Sequence, residues 1–128
     1  MRRLTVTLPL VFAMAMGAAS PIAAQPQSKL VSGLDKQTVQ AIWCSSLFFE
    51  NSFFFDEGSD EALNYEDMAF DLGERIDTIL RDDHNLRKEE IDEIWSLFDD
   101  GAYALNVDDQ ASFDAQLQTC ENGYAALL

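Results

Sequence analysis

The sequence predicts an all-α protein, a small bundle of about four helices, and three observations carry that prediction. All three prolines, Pro9, Pro21 and Pro26, lie at or before position 26, so the rest of the chain is free of that helix breaker. Apolar residues recur there at spacings of three and four, while no alternating strand pattern of useful length occurs. The five later glycines, Gly33, Gly58, Gly73, Gly101 and Gly123, fall mostly where that pattern shifts.

Residues 1–24 have the layout of a secretory signal peptide. Arg2 and Arg3 form a basic end, an apolar core runs from Leu4 to Gly17, and small residues follow in Ala18-Ala19-Ser20 and Ile22-Ala23-Ala24. Cleavage is expected after Ala24. The core is shorter than the ~20 residues of a spanning helix and is interrupted by Pro9, which argues against an anchor. The expected destination is the periplasm or the extracellular space. Residues 25–34 read as a flexible leader and 35–128 as a single helical domain.

The first helix of that domain starts near Asp35, a good N-cap, and carries Val39, Ile42, Trp43, Leu47 and Phe48 to an end around Phe54. A second starts at Ser59 or Asp60 and reaches about Arg81. Tyr65, Ala69, Leu72, Ile76 and Ile79 form its apolar stripe, opposite Glu66, Asp67, Asp71, Glu74 and Asp77. Gly73 on this helix marks a weak point or a close approach of another helix. After Arg81-Asp82-Asp83-His84-Asn85, a third helix begins near Arg87, with acidic residues in its early turns favouring the positive end of its dipole. Its apolar set is Ile91, Ile94, Trp95, Phe98, Ala102 and Leu105, and Gly101 either continues or ends it. Asp108 is expected to cap a fourth helix bearing Phe113, Leu117, Cys120 and Tyr124.

Cys44 and Cys120 are the only cysteines. Each falls on the apolar side of its helix, and an even pair in an exported chain indicates a disulfide. The absence of C-x-x-C speaks against a thiol oxidoreductase. A disulfide here would tie the first helix to the last.

Charge narrows the partners. The whole chain has 8 Lys+Arg against 23 Asp+Glu, a net −15. Loss of Arg2 and Arg3 with the signal leaves six basic residues and a net −17. With 48% hydrophobic and 11% aromatic residues, this is no disordered acidic tail. Nucleic acid and anionic membranes are disfavoured because their binders need a basic patch. A basic protein or an apolar ligand fits better. Such charge also makes low pH a natural variable, since protonated carboxylates relieve self-repulsion.

No motif supplies reaction chemistry. His84 is the only histidine and sits in an acidic turn without a nucleophile signature. No nucleophile elbow, phosphate-binding glycine loop, dinucleotide fingerprint or H-E-x-x-H pair occurs. Around Asp56, Glu57, Asp60, Glu61 and Asp67 the calcium-loop pattern is not met, because Gly58 stands at its third position and Glu61 at its sixth. No catalytic residue, metal ligand or cofactor site is therefore expected.

The most unusual stretch is Phe48, Phe49, Phe53, Phe54 and Phe55. Five rings in eight residues cannot share one helix face. They are read either as the packing of a central helix or as an exposed aromatic interaction patch. Trp43-Cys44 followed by the late Cys120 resembles the cysteine arrangement of small periplasmic acid-stress chaperones, which are also exported, helical and closed by one disulfide. The resemblance covers only these residues; the first motif is differently spaced and the lysine-rich tail of those proteins is absent. It implies an acid-responsive chaperone. The functional expectation is a non-enzymatic interaction or accessory protein, such as a stress chaperone or an inhibitor or immunity protein. The alternative is a carrier of a small apolar ligand at the phenylalanine run.

Overall fold

The computed structural model describes residues 25–128, and the expected signal peptide lies outside the described residues. Five helices follow one another: α1 (Lys29–Ser32), α2 (Lys36–Ser52), α3 (Asp60–Asp82), α4 (Lys88–Asp108) and α5 (Gln110–Asn122). A 3-10 turn, Tyr124–Ala126, follows α5. The described residues contain no strand, and four helices are of substantial length, so the all-α bundle expected from the periodicity is the observed fold.

Helix starts are encoded locally. Asp35 accepts from the Thr38 backbone N–H and hydroxyl at 3.0 and 2.8 Å. Ser59 caps α3 through the Ala62 N–H. At the start of α4 the Glu90 carboxylate accepts from the Arg87 N–H at 2.8 Å. Each satisfies an amide that the first helical turn leaves without a partner. Between α2 and α3 the chain reverses at Gly58, whose φ of 78° lies in the left-handed region that a side chain would disfavour.

One cap differs from the expected one. α5 is capped by Asp109, which accepts from the Ser112 N–H and hydroxyl at 3.1 and 2.7 Å. Asp108 still belongs to α4, because the Asp109 N–H completes that helix by donating to the Leu105 carbonyl at 2.8 Å. The backbone turns out only at Asp109 (φ −149°, ψ 76°). Gly101 lies inside α4 and does not end it.

α2 is the centre of the bundle. Every residue from Ala41 to Phe48 is buried, so the helix is covered on all sides by α3, α4 and α5. Most of its enclosed side chains are apolar, as such a position requires, and the two buried serines, Ser45 and Ser46, each find a hydrogen-bond partner. α3 contributes Ala62, Ala69, Leu72, Ile76 and Leu80. Leu80 takes the buried place expected of Ile79, since steps of four from Leu72 track the side facing α2. α4 adds Ile94, Phe98 and Ala102, and α5 adds Phe113, Gln116, Leu117 and Cys120.

Two links hold α5 to α2. The Cys44–Cys120 disulfide joins fully buried sulfurs with Cα atoms 5.4 Å apart and 76 positions between them in sequence. One residue earlier, the Trp43 indole N–H donates to the Gln116 side-chain carbonyl at 2.8 Å inside the core. Burying that amide without its indole partner would cost roughly 1–3 kcal/mol.

Residues 25–34 differ from the expected flexible leader. Val31 is 3% exposed and part of the core, and Ser28 caps α1 by accepting from the Val31 N–H. Pro26 rests in a notch on α4: a Cβ at Gly101 would stand 2.7 Å from Pro26 Cγ and 3.5 Å from the Trp43 ring. The segment is a strap across α4, and glycine at position 101 is what lets it lie so close. No described helix is long and apolar enough to cross a membrane.

Candidate functional site

The phenylalanine run does not behave as one unit. Phe48 is 0% exposed and packs its ring between Tyr65 (centroids 6.3 Å) and Tyr124 (5.8 Å), so it belongs to the core and to no surface patch. Phe49 is half-buried, while Phe53, Phe54 and Phe55 follow the end of α2 and are exposed. Phe55 lies flat on Tyr65 at 5.7 Å, and Phe54 leans toward Phe113 at 6.2 Å. Phe53 meets Phe49 edge-on at 5.1 Å, and Phe49 in turn faces Phe70 at 6.0 Å. Of the five expected patch residues, only Phe49 and Phe53 therefore share a surface cluster with Phe70, which is 58% exposed. Helical geometry explains the split: successive residues point about 100° apart, so neighbours in sequence serve different faces.

That cluster borders a concavity. An open groove of about 400 Å³ is lined by residues of α2, α3 and α4. Its apolar walls are Phe49, Ala69, Phe70, Gly73 and Trp95, and its polar lining is Ser45, Glu74, Asp77 and Asp99. Gly73 leaves the wall open beside Trp95, whose ring would sit 4.0 Å from a Cβ there, an ordinary contact. Gly73 therefore marks no close backbone approach of another helix; only the edge of the Trp95 ring comes near it.

Polar contacts hold the lining in place. The Trp95 indole N–H donates to Asp77 Oδ1 at 2.7 Å, bridging α4 to α3. The buried Ser46 hydroxyl donates to Asp99 Oδ1 at 2.7 Å, bridging α2 to α4. The buried Ser45 hydroxyl donates to the Ala69 carbonyl at 2.8 Å. Protein packed around Asp99 pushes its carboxyl above the usual range; the Ser46 hydroxyl opposes that rise and the Asp100 charge adds to it. Among the described residues, no lysine, arginine or histidine lines the groove.

The cations sit elsewhere. Arg75 pairs with Asp71, Arg81 with Asp82, Arg87 with Glu90 and Lys88 with Asp92, all close in sequence and on exposed faces. Such pairs contribute little to stability, at most ~1 kcal/mol each. The imidazole of His84 lies 3.5 Å from Asp35, the cap of α2, so the lone histidine packs against a helix start. Asp56, Glu57, Asp60 and Glu61 lie exposed around the α2–α3 turn. Among the described residues, no group of three or more His, Cys, Asp or Glu side chains is arranged to hold a metal ion.

On the opposite side of α3, tyrosines meet carboxylates. Tyr65 donates to Glu121 at 2.6 Å, and burial together with that carboxylate pushes its phenol up to about 12. Tyr124 donates to Asp71 at 3.1 Å and is raised for the same two reasons, burial first. These contacts fasten the chain's end to α3. Sequence reasoning had no signal for the groove: Asp77, Trp95 and Asp99 were visible as helix residues, but their meeting depends on how two helices cross.

Comparison with protein-family models, with curated proteins and with solved structures finds no match for this chain.

Proposed function

We propose that this protein is an exported, non-enzymatic interaction protein that holds a basic partner protein against its acidic surface. The observation that carries this reading is the α2–α3–α4 groove, where aromatic walls meet three carboxylates and no cation. The signal-like first 24 residues and the buried Cys44–Cys120 disulfide support export. The charge supports the sign of the partner. Among the described residues, four of the acidic side chains pair with Arg or Lys, so a basic partner would be steered in faster as salt falls. An inhibitor or immunity protein of this kind fits better than a carrier of fatty acids, whose carboxylates the groove would repel.

The test is isothermal titration of the chain with purified basic proteins of the same exported compartment at 50 and 300 mM salt. A 1:1 complex that weakens severalfold at the higher salt is expected. The reading falls if no basic protein gives a stoichiometric complex, or if salt leaves the affinity unchanged.

A second reading, the acid-responsive chaperone, draws on Phe53, Phe54 and Phe70, which are 68%, 52% and 58% exposed. It requires suppression of client aggregation at pH 3 that is absent at pH 7.

A further inference from the structure

We infer that the α2–α3–α4 groove is a seat for one arginine side chain of the partner, stacked against Trp95 and Phe70 with its guanidinium among Asp77, Asp99 and Glu74. The inference rests on the basic-partner reading and assigns it a place and a residue type. Four features of the groove point to arginine.

First, the walls are flat rings. Trp95 and Phe70 both line the groove, and the Trp95 ring reaches to 4.0 Å from where a Cβ on Gly73 would stand. A planar guanidinium stacks on such faces, and a cation within about 6 Å of a ring is attracted by its quadrupole. Second, acceptors are free at the polar side. Asp77 and Asp99 each use Oδ1, toward Trp95 and Ser46, and among the described residues neither Oδ2 makes a hydrogen bond. A guanidinium has five donors in a fixed fork and can serve two carboxylates at once; an ammonium is a compact, strongly hydrated charge that gains less from stacking. Third, among the described residues no Arg or Lys makes an ion pair with these carboxylates; Arg81, one turn from Asp77 on α3, feels its charge but bonds to Asp82. Fourth, the lining is preorganised. The hydrogen bonds from Trp95 to Asp77 and from Ser46 to Asp99 hold both acceptors on helices rather than loops, which lowers the ordering cost of binding. A volume of about 400 Å³ accommodates an arginine side chain with part of an apolar neighbour, which Phe49 and Phe53 would receive at the rim.

The two tryptophans make the test direct. Trp95 lines the groove, while Trp43 is fully buried against Gln116 and serves as an internal control. The full chain without residues 1–24 is labelled with 15N and titrated with the blocked peptide acetyl-Phe-Arg-Phe-amide, following both indole N–H signals. Two control peptides replace arginine by lysine and by the neutral isostere citrulline. The Trp95 signal is expected to move and saturate in the millimolar range while that of Trp43 stays still. The lysine peptide should bind at least threefold more weakly and the citrulline peptide at least tenfold more weakly. In the Asp99→Asn variant, which keeps an acceptor for Ser46, arginine-peptide affinity should fall about tenfold with helicity unchanged. A still Trp95 signal, equal affinity for all three peptides, or full affinity in Asp99→Asn overturns the assignment. The broader reading is judged apart from this: if a basic protein binds with salt dependence but equally well to Asp99→Asn, the groove is not its seat and the acidic surface elsewhere is. If no basic protein binds, both readings fail.

Discussion

Reducing the Cys44–Cys120 disulfide should remove a large share of the protein's stability. The bond spans 76 positions and joins α2 to α5. In the loop-closure account, a cross-link of that span restricts the unfolded chain by about 4.5 kcal/mol at 25 °C. Domains of this size are stable by only about 5–15 kcal/mol, so the reduced protein should be marginal. With a urea dependence of about 1–3 kcal/mol per molar, the unfolding midpoint should fall by roughly 1.5–4.5 M. The assay is urea unfolding followed by far-ultraviolet circular dichroism, with and without a phosphine reductant, thiol content being verified by mass. Cys44→Ala/Cys120→Ala gives a second route to the open chain. It should be destabilised slightly more, because two buried sulfurs are lost from a close-packed core. A midpoint shift below about 0.5 M in both would refute the reasoning. It would mean that the unfolded chain is already compact, or that the Trp43–Gln116 hydrogen bond and the packing of Phe113 and Leu117 hold α5 without help.

Trp43→Phe leaves the Gln116 carbonyl buried without its donor and should cost about 2–4 kcal/mol, read from the urea midpoint, with helicity at zero denaturant unchanged. Gly101→Ala should free the strap, because its Cβ would stand 2.7 Å from Pro26 Cγ; faster tryptic cleavage after Lys29 is expected, while the gain in helix propensity of up to about 1 kcal/mol keeps the melting temperature near the parent's. Asp99 has a carboxyl raised in the folded state, so the folded protein binds its proton more tightly than the unfolded chain does. Its contribution favours folding at low pH and is lost as pH rises through the folded value; Asp99→Asn should therefore melt higher than the parent at pH 7, with the difference vanishing below the ordinary carboxylate range. Asp35 and Asp109 are lowered, chiefly by the side-chain hydrogen bonds of Thr38 and Ser112, and act in the opposite sense. Their stabilisation is present above the unfolded value near 3.8 and is lost as pH falls through the folded one, so Asp35→Ala should cost stability at pH 6 and little at pH 2.

Much of the bundle was legible in the sequence because its determinants are local. Capping by Asp35 and Ser59 depends on residues three positions apart, and the three-and-four spacing of Leu72, Ile76, Phe98 and Ala102 needs only the period of the helix. The disulfide was legible for a related reason: Cys44 and Cys120 each lay on an apolar stripe, and there was one possible pairing. The cap of α5 shows the limit of local reading, since Asp108 and Asp109 are the same residue type and only the last turn of α4 decides between them. The split of the phenylalanine run was legible as a necessity but not in its outcome. Five rings could not share a face, yet which of them reached solvent depended on where α3 and α5 covered α2.

By itself, then, the sequence determined the four long helices, most of their inward faces, the pairing of the two cysteines and the sign of the charge. Tertiary structure decided that α2 is enclosed on all sides, that Pro26 straps over Gly101, and that Trp95 and Asp99 of α4 meet Phe70 and Asp77 of α3 in one groove. The physical reason is the range of the interactions. A helix is specified by hydrogen bonds four residues apart, whereas a groove is specified by the distance and crossing of helices whose contacts lie tens of residues apart, and no period in the chain records that crossing.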